Sequence, residues 1–224
     1  MSTRREILGR VREALSVPSN PRVKAGAGGG TRDAREAREF LPDGGATPEA
    51  RLARFEELAA KLKATVVRFP DLAAAREALA PLCEKEGWRA IASHHHPLTD
   101  GLLESSPSVI WTDDEPGVDA LEASSVGVTA CEALIAQTGS VLVTSRGCGG
   151  RALSVLPPHH LVIATRDQLL RDMLDGFDLL RDRYGDTLPG FISFITGASR
   201  TGDIERILVL GAHGPKTLTI WIVG

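Results

Sequence analysis

A chain of 224 residues with 42% hydrophobic content can bury one sizeable core, so a single folded domain is the simplest reading. Its 26 basic and 29 acidic residues leave a net charge of −3, which gives no global field to draw it to nucleic acid or anionic lipid. Cys83, Cys131 and Cys148 lack any C-x-x-C spacing, which argues against a disulfide framework, a structural zinc or an iron–sulfur cluster.

No signal-like apolar segment follows Arg4 and Arg5, and no run approaches the roughly 20 apolar residues that span a bilayer. A cytoplasmic protein without a membrane span is expected. Ile7, Leu8, Val11, Ala14 and Leu15 place a stripe on a helix from Arg4 to Leu15, which Pro18, Pro21 and the Gly26 to Gly30 cluster end. From Val17 to about Pro48 large apolar residues are scarce, so residues 1–46 read as a helix on a flexible arm and 47–224 as the folded domain. A helix is predicted from Pro48 to Leu62, a strand from Thr65 to Phe69, a helix from Leu72 to Lys85 capped by Asp71, and a strand from Trp88 to Ala92. Short apolar strands follow at Val109–Trp111, Val141–Val143 and Leu161–Ile163, then an amphipathic helix from Asp167 to Arg183. Phe191–Ile195, Ile207–Leu210 and Leu218–Val223 complete the sheet. The order predicts an α/β fold with a central, largely parallel sheet flanked by helices, and ligands at loops beyond the carboxyl ends of the strands.

The most specific stretch is Ile195 to Pro215, ITGASRTGDIERILVLGAHGP. Gly197 and Gly202 give a flexible turn, Ser199 and Thr201 supply hydroxyls, and Arg200 supplies a planar cationic fork, groups suited to a carboxylate or phosphate. Asp203 would favour the positive end of a following helical turn. The second polar loop holds His213, Gly214 and Lys216, with His213 either a proton carrier or a turn residue. Its glycines and lysine lack Walker spacing and no helix follows, so no nucleotide-triphosphate loop is read there. Gly147 to Ala152 fits G-x-G-x-x-A, but Pro157-Pro158 follows where a dinucleotide fingerprint needs a helix, so the segment reads as a mobile loop. Arg146 and Arg151 at its ends either close over an anion or stay solvated. Glu132 is either a base or nucleophile or a surface glutamate, and Cys131 beside it reads as a small core residue. His94, His95 and His96 cannot all face one ion from a strand, because side chains alternate, and no metal site is assigned. One of His159 and His160 is expected to pack where its strand begins.

Three blocks in order, Gly127 to Gly139 (GVTACEALIAQTG), Ala152 to His160 (ALSVLPPHH) and Ile195 to Pro215, closely resemble the lactate-utilisation protein C family, whose shared module is the LUD domain. The likeness covers the C-terminal half most fully. It implies the α/β fold shared by ribose-5-phosphate isomerases, glucosamine-6-phosphate deaminases and CoA transferases, a context of L-lactate oxidation to pyruvate, and iron–sulfur partner proteins. It departs at Gln137, where relatives often carry an acidic residue, and at Ala198, often proline. On this reading a small anionic metabolite or cofactor, unidentified by the sequence, binds between Thr129, Glu132, the Thr138-Gly139 turn, Arg151, Gly197, Ser199 to Asp203, Gly214 and Lys216, with Glu132 and His213 as candidate catalytic groups. Two alternatives stand beside it: an isomerase-like or CoA-transferase-like enzyme using Glu132 as base or nucleophile, and a non-catalytic subunit that scaffolds iron–sulfur partners.

Overall fold

Aliphatic and β-branched runs with few polar interruptions become strands buried on both faces. A computed structural model describes residues 4–16, 38, 41–201, 209–211 and 213–224, in two units, Met1–Leu41 and Pro42–Gly224. In the first, α1 (Arg4–Ser16) forms the helix that the apolar stripe predicts. The second is an α/β domain. Its main sheet runs β1 (Ala64–Phe69), β12 (Thr217–Val223), β7 (His159–Thr165), β4 (Val126–Thr129), β2 (Ile91–Ser93) and β3 (Val109–Trp111), with every neighbouring pair parallel. The α/β expectation holds.

A second sheet, absent from the sequence reading, takes strands that had been expected in the first. It orders β8 (Leu169–Leu170), β5 (Ala133–Ile135), β6 (Ser140–Thr144) and β9 (Ile192–Ile195), with β5–β6 and β6–β9 antiparallel. The cause is the Thr138-Gly139 turn: Gly139 sits at φ +67°, in the left-handed region, and folds β5 and β6 into a hairpin. A side chain there would also come within 2.8 Å of the Ala59 backbone nitrogen. The helix expected from Asp167 begins later, as α7 (Met173–Tyr184), because Leu169 and Leu170 pair with Leu134 and Ile135 while Asp172 supplies the cap, accepting from the Asp175 N–H at 3.0 Å. Of the Ile207–Leu210 run, Val209–Leu210 is described, as β11, paired with β10 (Arg200–Thr201) in a separate ribbon rather than in the main sheet.

Layers follow from the alternation of β7. Leu161 and Ile163 face α3 (Leu72–Glu86) and α4 (Pro97–Leu103), packing with Ala75, Leu79 and Leu102. Val162 and Ala164 face the other way, toward α2 (Pro48–Lys61) and the second sheet, with Phe55, Leu134 and Val141. The far side of the second sheet is covered by α7 through Leu180 against Ile135 and Leu142. Asp71 caps α3 as its sequence signal predicts, accepting from the Ala74 N–H, and at the start of α2 the Thr47 side chain accepts from the Ala50 N–H. Two short helices, α5 (Val118–Glu122) and α6 (Gly150–Leu153), lead to β4 and β7.

Phe55 is fully buried between α2 and both sheets. Phe55→Ala is expected to destabilise the fold by about 3–5 kcal/mol, seen as a lower urea midpoint; an unchanged midpoint would show that the sheets do not depend on α2.

Candidate functional site

The carboxyl ends of β2 and β4 lead into His94 and into Ala130–Glu132. The Glu132 N–H donates to the Leu142 carbonyl at 2.8 Å, fixing the residue where the second sheet begins. Its carboxyl group accepts from Thr144 Oγ1 at 2.6 Å, from the Tyr184 hydroxyl at 2.5 Å and from Arg183 Nη1. The Glu132 side chain is 1% exposed and that of Arg183 is 49% exposed. A buried carboxyl is tolerable only with such donors, and here they come from the end of β6 and the last turn of α7. Thr144 passes the contact on: its hydroxyl accepts from the Gly147 N–H at 2.9 Å. Any side chain at Gly147 would strike the Glu132 carboxyl oxygen, so glycine lets the loop after β6 close on that group. The Arg146 guanidinium lies over the Tyr184 ring, 5.9 Å from its centre, and donates to the Thr187 carbonyl at 2.8 Å. Burial, and then the bond to Glu132, push the Tyr184 phenol up, so it remains a donor at neutral pH.

Two buried imidazoles hold the strand ends beneath this cluster. His94 Nε2 accepts from the Ala130 N–H at 3.1 Å, and His160 Nε2 bonds the Thr129 hydroxyl at 2.9 Å. Burial lowers both to about 4, with the neighbouring His96 adding to the effect at His94. His96 is lowered by burial as well, whereas exposed His95 is raised by its bond to Asp100. Burial pushes the Cys131 thiol well above its usual range and Cys148 up to about 12, so neither is a thiolate near neutrality, in keeping with Cys131 as a core residue. Among the described residues no group of three or more His, Cys, Asp or Glu side chains could hold a metal ion, and no helix is long and apolar enough to cross a membrane.

The structure separates the residues that the sequence suggested. Thr129 and Glu132 lie at the carboxyl end of the main sheet. Arg151, exposed in α6, stands 6.0 Å from the Phe191 ring centre, next to the loop that closes on Glu132. At the opposite, amino end, the Lys216 N–H donates to the Pro158 carbonyl, just before β12 and β7 begin. Ser199 joins that end by donating its N–H to the Pro215 carbonyl at 2.9 Å, and Gly214 lies against it. His213, Gly214 and Lys216 border a cleft of about 480 Å³ with Glu122 and Leu156. Thr138, Gly139 and Gly197 cluster beside α2, where Ser140 Oγ bridges Thr138 and Thr196 at 2.7 Å. Arg200 is exposed on β10. Asp203 lies outside the described residues, and Thr201 is placed only as a strand residue. Four residues between the sheet ends at about 3.3 Å each keep Lys216 and Thr129 more than about 10 Å apart. Arg183, Tyr184 and Thr144 were missed: Arg183 and Tyr184 end an amphipathic helix and Thr144 ends an apolar strand, so nothing in their local sequence distinguishes them. Gln137 is a bracket, its amide donating to the Pro42 carbonyl at 2.9 Å and accepting from the Met173 N–H at 3.5 Å, a pairing that an acidic side chain could not make with both.

A family model described as the LUD domain matches residues 52–223. The chain belongs to the LUD-domain family. It is 32% identical over 139 residues to the lactate utilization protein C of Bacillus subtilis (strain 168), covering 60% of this chain and 56% of that protein. Against the protein of the same name from Deinococcus radiodurans, identity is 31% over 114 residues, covering 50% and 53%. This LUD chain thus spans about half the length of the curated relatives it matches. The crystal structure of a DUF162 family protein from Deinococcus radiodurans, at 1.70 Å resolution, superposes with a TM-score of 0.63 at 20% identity, covering 80% of this chain and 99% of that one. That likeness concerns the fold.

His94 and His160 stay neutral down to about pH 4 when folded but protonate near 6.5 in an unfolded chain. The unfolded state therefore gains protons first as pH falls, and up to about 3 kcal/mol per imidazole is lost between the two values. The melting temperature is expected to drop from pH 7 to 5, and less steeply in His160→Gln, which cannot titrate; equal slopes would show that His160 is not a source of the acid lability.

Proposed function

We propose that this LUD protein is a component of L-lactate utilisation, oxidising lactate to pyruvate together with partner proteins, and that it binds a small anionic metabolite or cofactor at the carboxyl end of its main sheet. The relatives named lactate utilization protein C support the context. The observation that carries the site is the buried Glu132 carboxyl beneath the half-exposed Arg183. A guanidinium offers five N–H donors in a rigid fork, and Arg183 commits Nη1 to Glu132, leaving others to face a carboxylate or phosphate from solvent. Arg146, over the Tyr184 ring, adds a second cation at the same rim. Ligands of parallel α/β sheets sit at this end of the strands. Removing two electrons and two protons from lactate requires an acceptor, and the partners in this reading are iron–sulfur proteins that take the electrons while this chain holds the anion. Cytoplasmic location belongs to the same reading.

A second reading, an isomerase-like or CoA-transferase-like enzyme, is favoured by the placement of Glu132 among donors in a water-poor site, where a carboxyl can act as base or nucleophile. It requires Glu132 to exchange its bond to Arg183 for one to substrate. The two readings part on turnover by the isolated protein.

Titration calorimetry of the purified chain with L-lactate, pyruvate, a sugar phosphate and CoA tests both. Arg183→Lys is expected to weaken the anion that binds by about 1.5–3 kcal/mol, the range for hydrogen bonds to charged groups, and Arg200→Lys to leave it unchanged. If Arg200→Lys weakens binding and Arg183→Lys does not, the anion sits in the loops at the amino end. Glu132→Gln should abolish any turnover if the enzymatic reading is right.

A further inference from the structure

The second sheet ends in β9, and among the described residues no strand pairs with its outer edge. The Ser145 N–H donates to the Phe191 carbonyl at 2.9 Å, and the register sets Ser193 against Val143 and Ile195 against Val141. Bonding alternates along an antiparallel pair, so Phe191, Ser193 and Ile195 turn their backbone groups to β6, while Ile192 and Phe194 turn theirs outward. In the bonds described, the Phe194 carbonyl meets only the Thr196 hydroxyl, at 3.3 Å. Free edges are commonly blunted by a charge or a proline, and the strand, Ile-Ser-Phe-Ile, carries neither. Beside this edge a groove of about 430 Å³ runs between α7 and β9. Phe177 and Phe194 meet edge-on at one end of it, 5.4 Å between ring centres, and Gly185, Leu188 and Ile192 form the other. Of the large apolar side chains exposed among the described residues of the domain, Val118, Phe177 and Leu188, two border this groove, at 51% and 54% exposure. Its charged lining residue, Arg181, is bonded to Asp178 and Asp182, so the groove presents no unpaired charge.

We propose that this edge and groove bind a second copy of the chain, β9 pairing antiparallel with β9 of the other copy about a two-fold axis at Ser193. That register sets Ile192 of each copy opposite Phe194 of the other, the two residues whose backbone groups face outward, and Ser193 opposite Ser193. Side chains directly opposite share one face of a sheet. The aromatic end of each groove therefore meets the aliphatic end of the other, where Gly185, having no side chain, leaves room for Phe177. This exchange of ends selects a second copy as the occupant: one self-complementary contact satisfies both strand edges and covers Phe177 and Leu188 twice over. The two four-stranded sheets become one continuous sheet.

Sedimentation equilibrium of the full chain at micromolar concentrations is expected to give twice the mass of one chain. Phe177→Glu and Leu188→Lys change exposed side chains, so each should keep the melting temperature of the monomer while raising the dimer dissociation constant about tenfold or more. A cross-link reads the register directly. Opposite residues of a non-hydrogen-bonded antiparallel pair have Cα atoms about 4.5 Å apart, within reach of a disulfide, so Ser193→Cys should oxidise to a covalent dimer. Cys83, half-buried, is replaced by serine for this experiment, whereas Cys131 and Cys148 are buried and stay. Should Ser193→Cys fail to fold, Phe177→Glu and Leu188→Lys carry the test alone. A monomer up to hundreds of micromolar, a dissociation constant unchanged in either surface variant, or a folded Ser193→Cys chain that dimerises without cross-linking overturns the proposal.

Discussion

The structure at the carboxyl end of the main sheet turns on a single buried carboxyl. Taking Glu132 out of water costs several kcal/mol unless donors replace the solvent, and the donors that do so come from parts of the chain 12, 51 and 52 residues away. Meeting that requirement ties the end of β6, the last turn of α7 and the start of β5 to one point. It also dictates the loop after β6, because the Gly147 N–H completes the Thr144 hydroxyl and only glycine fits against the carboxyl oxygen. The positions of Arg146 and Arg183 at the rim follow from the same constraint.

The parallel sheet sets the second constraint. Parallel strands have two chemically distinct ends, and β7 and β12 in register send Pro158 and Lys216 to one and Thr165 and Val223 to the other. Short β4, flanked by β7 and β2, delivers its successor residues into the carboxyl end, where His94 and His160 secure them by bonding Ala130 and Thr129. The two imidazoles do this as neutral groups. The strand ends are consequently firm at neutral pH and liable to loosen in acid, a property that belongs to the support beneath Glu132 rather than to Glu132 itself.

Much of the architecture was legible because it rests on local signals. Asp71 caps its helix through its own neighbours, and short β-branched runs such as Leu161–Ile163 favour buried strands. The second sheet was not legible, since a short apolar run looks alike whether it enters a parallel sheet or a hairpin, and the deciding feature was the left-handed conformation of Gly139. The start of α7 was misplaced for a similar reason: Asp167 and Asp172 are equally good caps in sequence, and pairing of Leu169 and Leu170 with β5 chose between them.

Sequence alone determined the fold class, the presence of Glu132 in a motif that points to the LUD family, and the core character of Cys131, because each depends on residue type and near neighbours. Tertiary structure decided which polar groups share a site. It took Arg183 and Tyr184 from the end of an ordinary amphipathic helix and placed them on Glu132, while the Ser199 and Lys216 loops, richer in suggestive residues, went to the opposite end of the sheet. Spatial convergence is a property of strand direction and layer packing, and residue type in a linear chain carries no record of either.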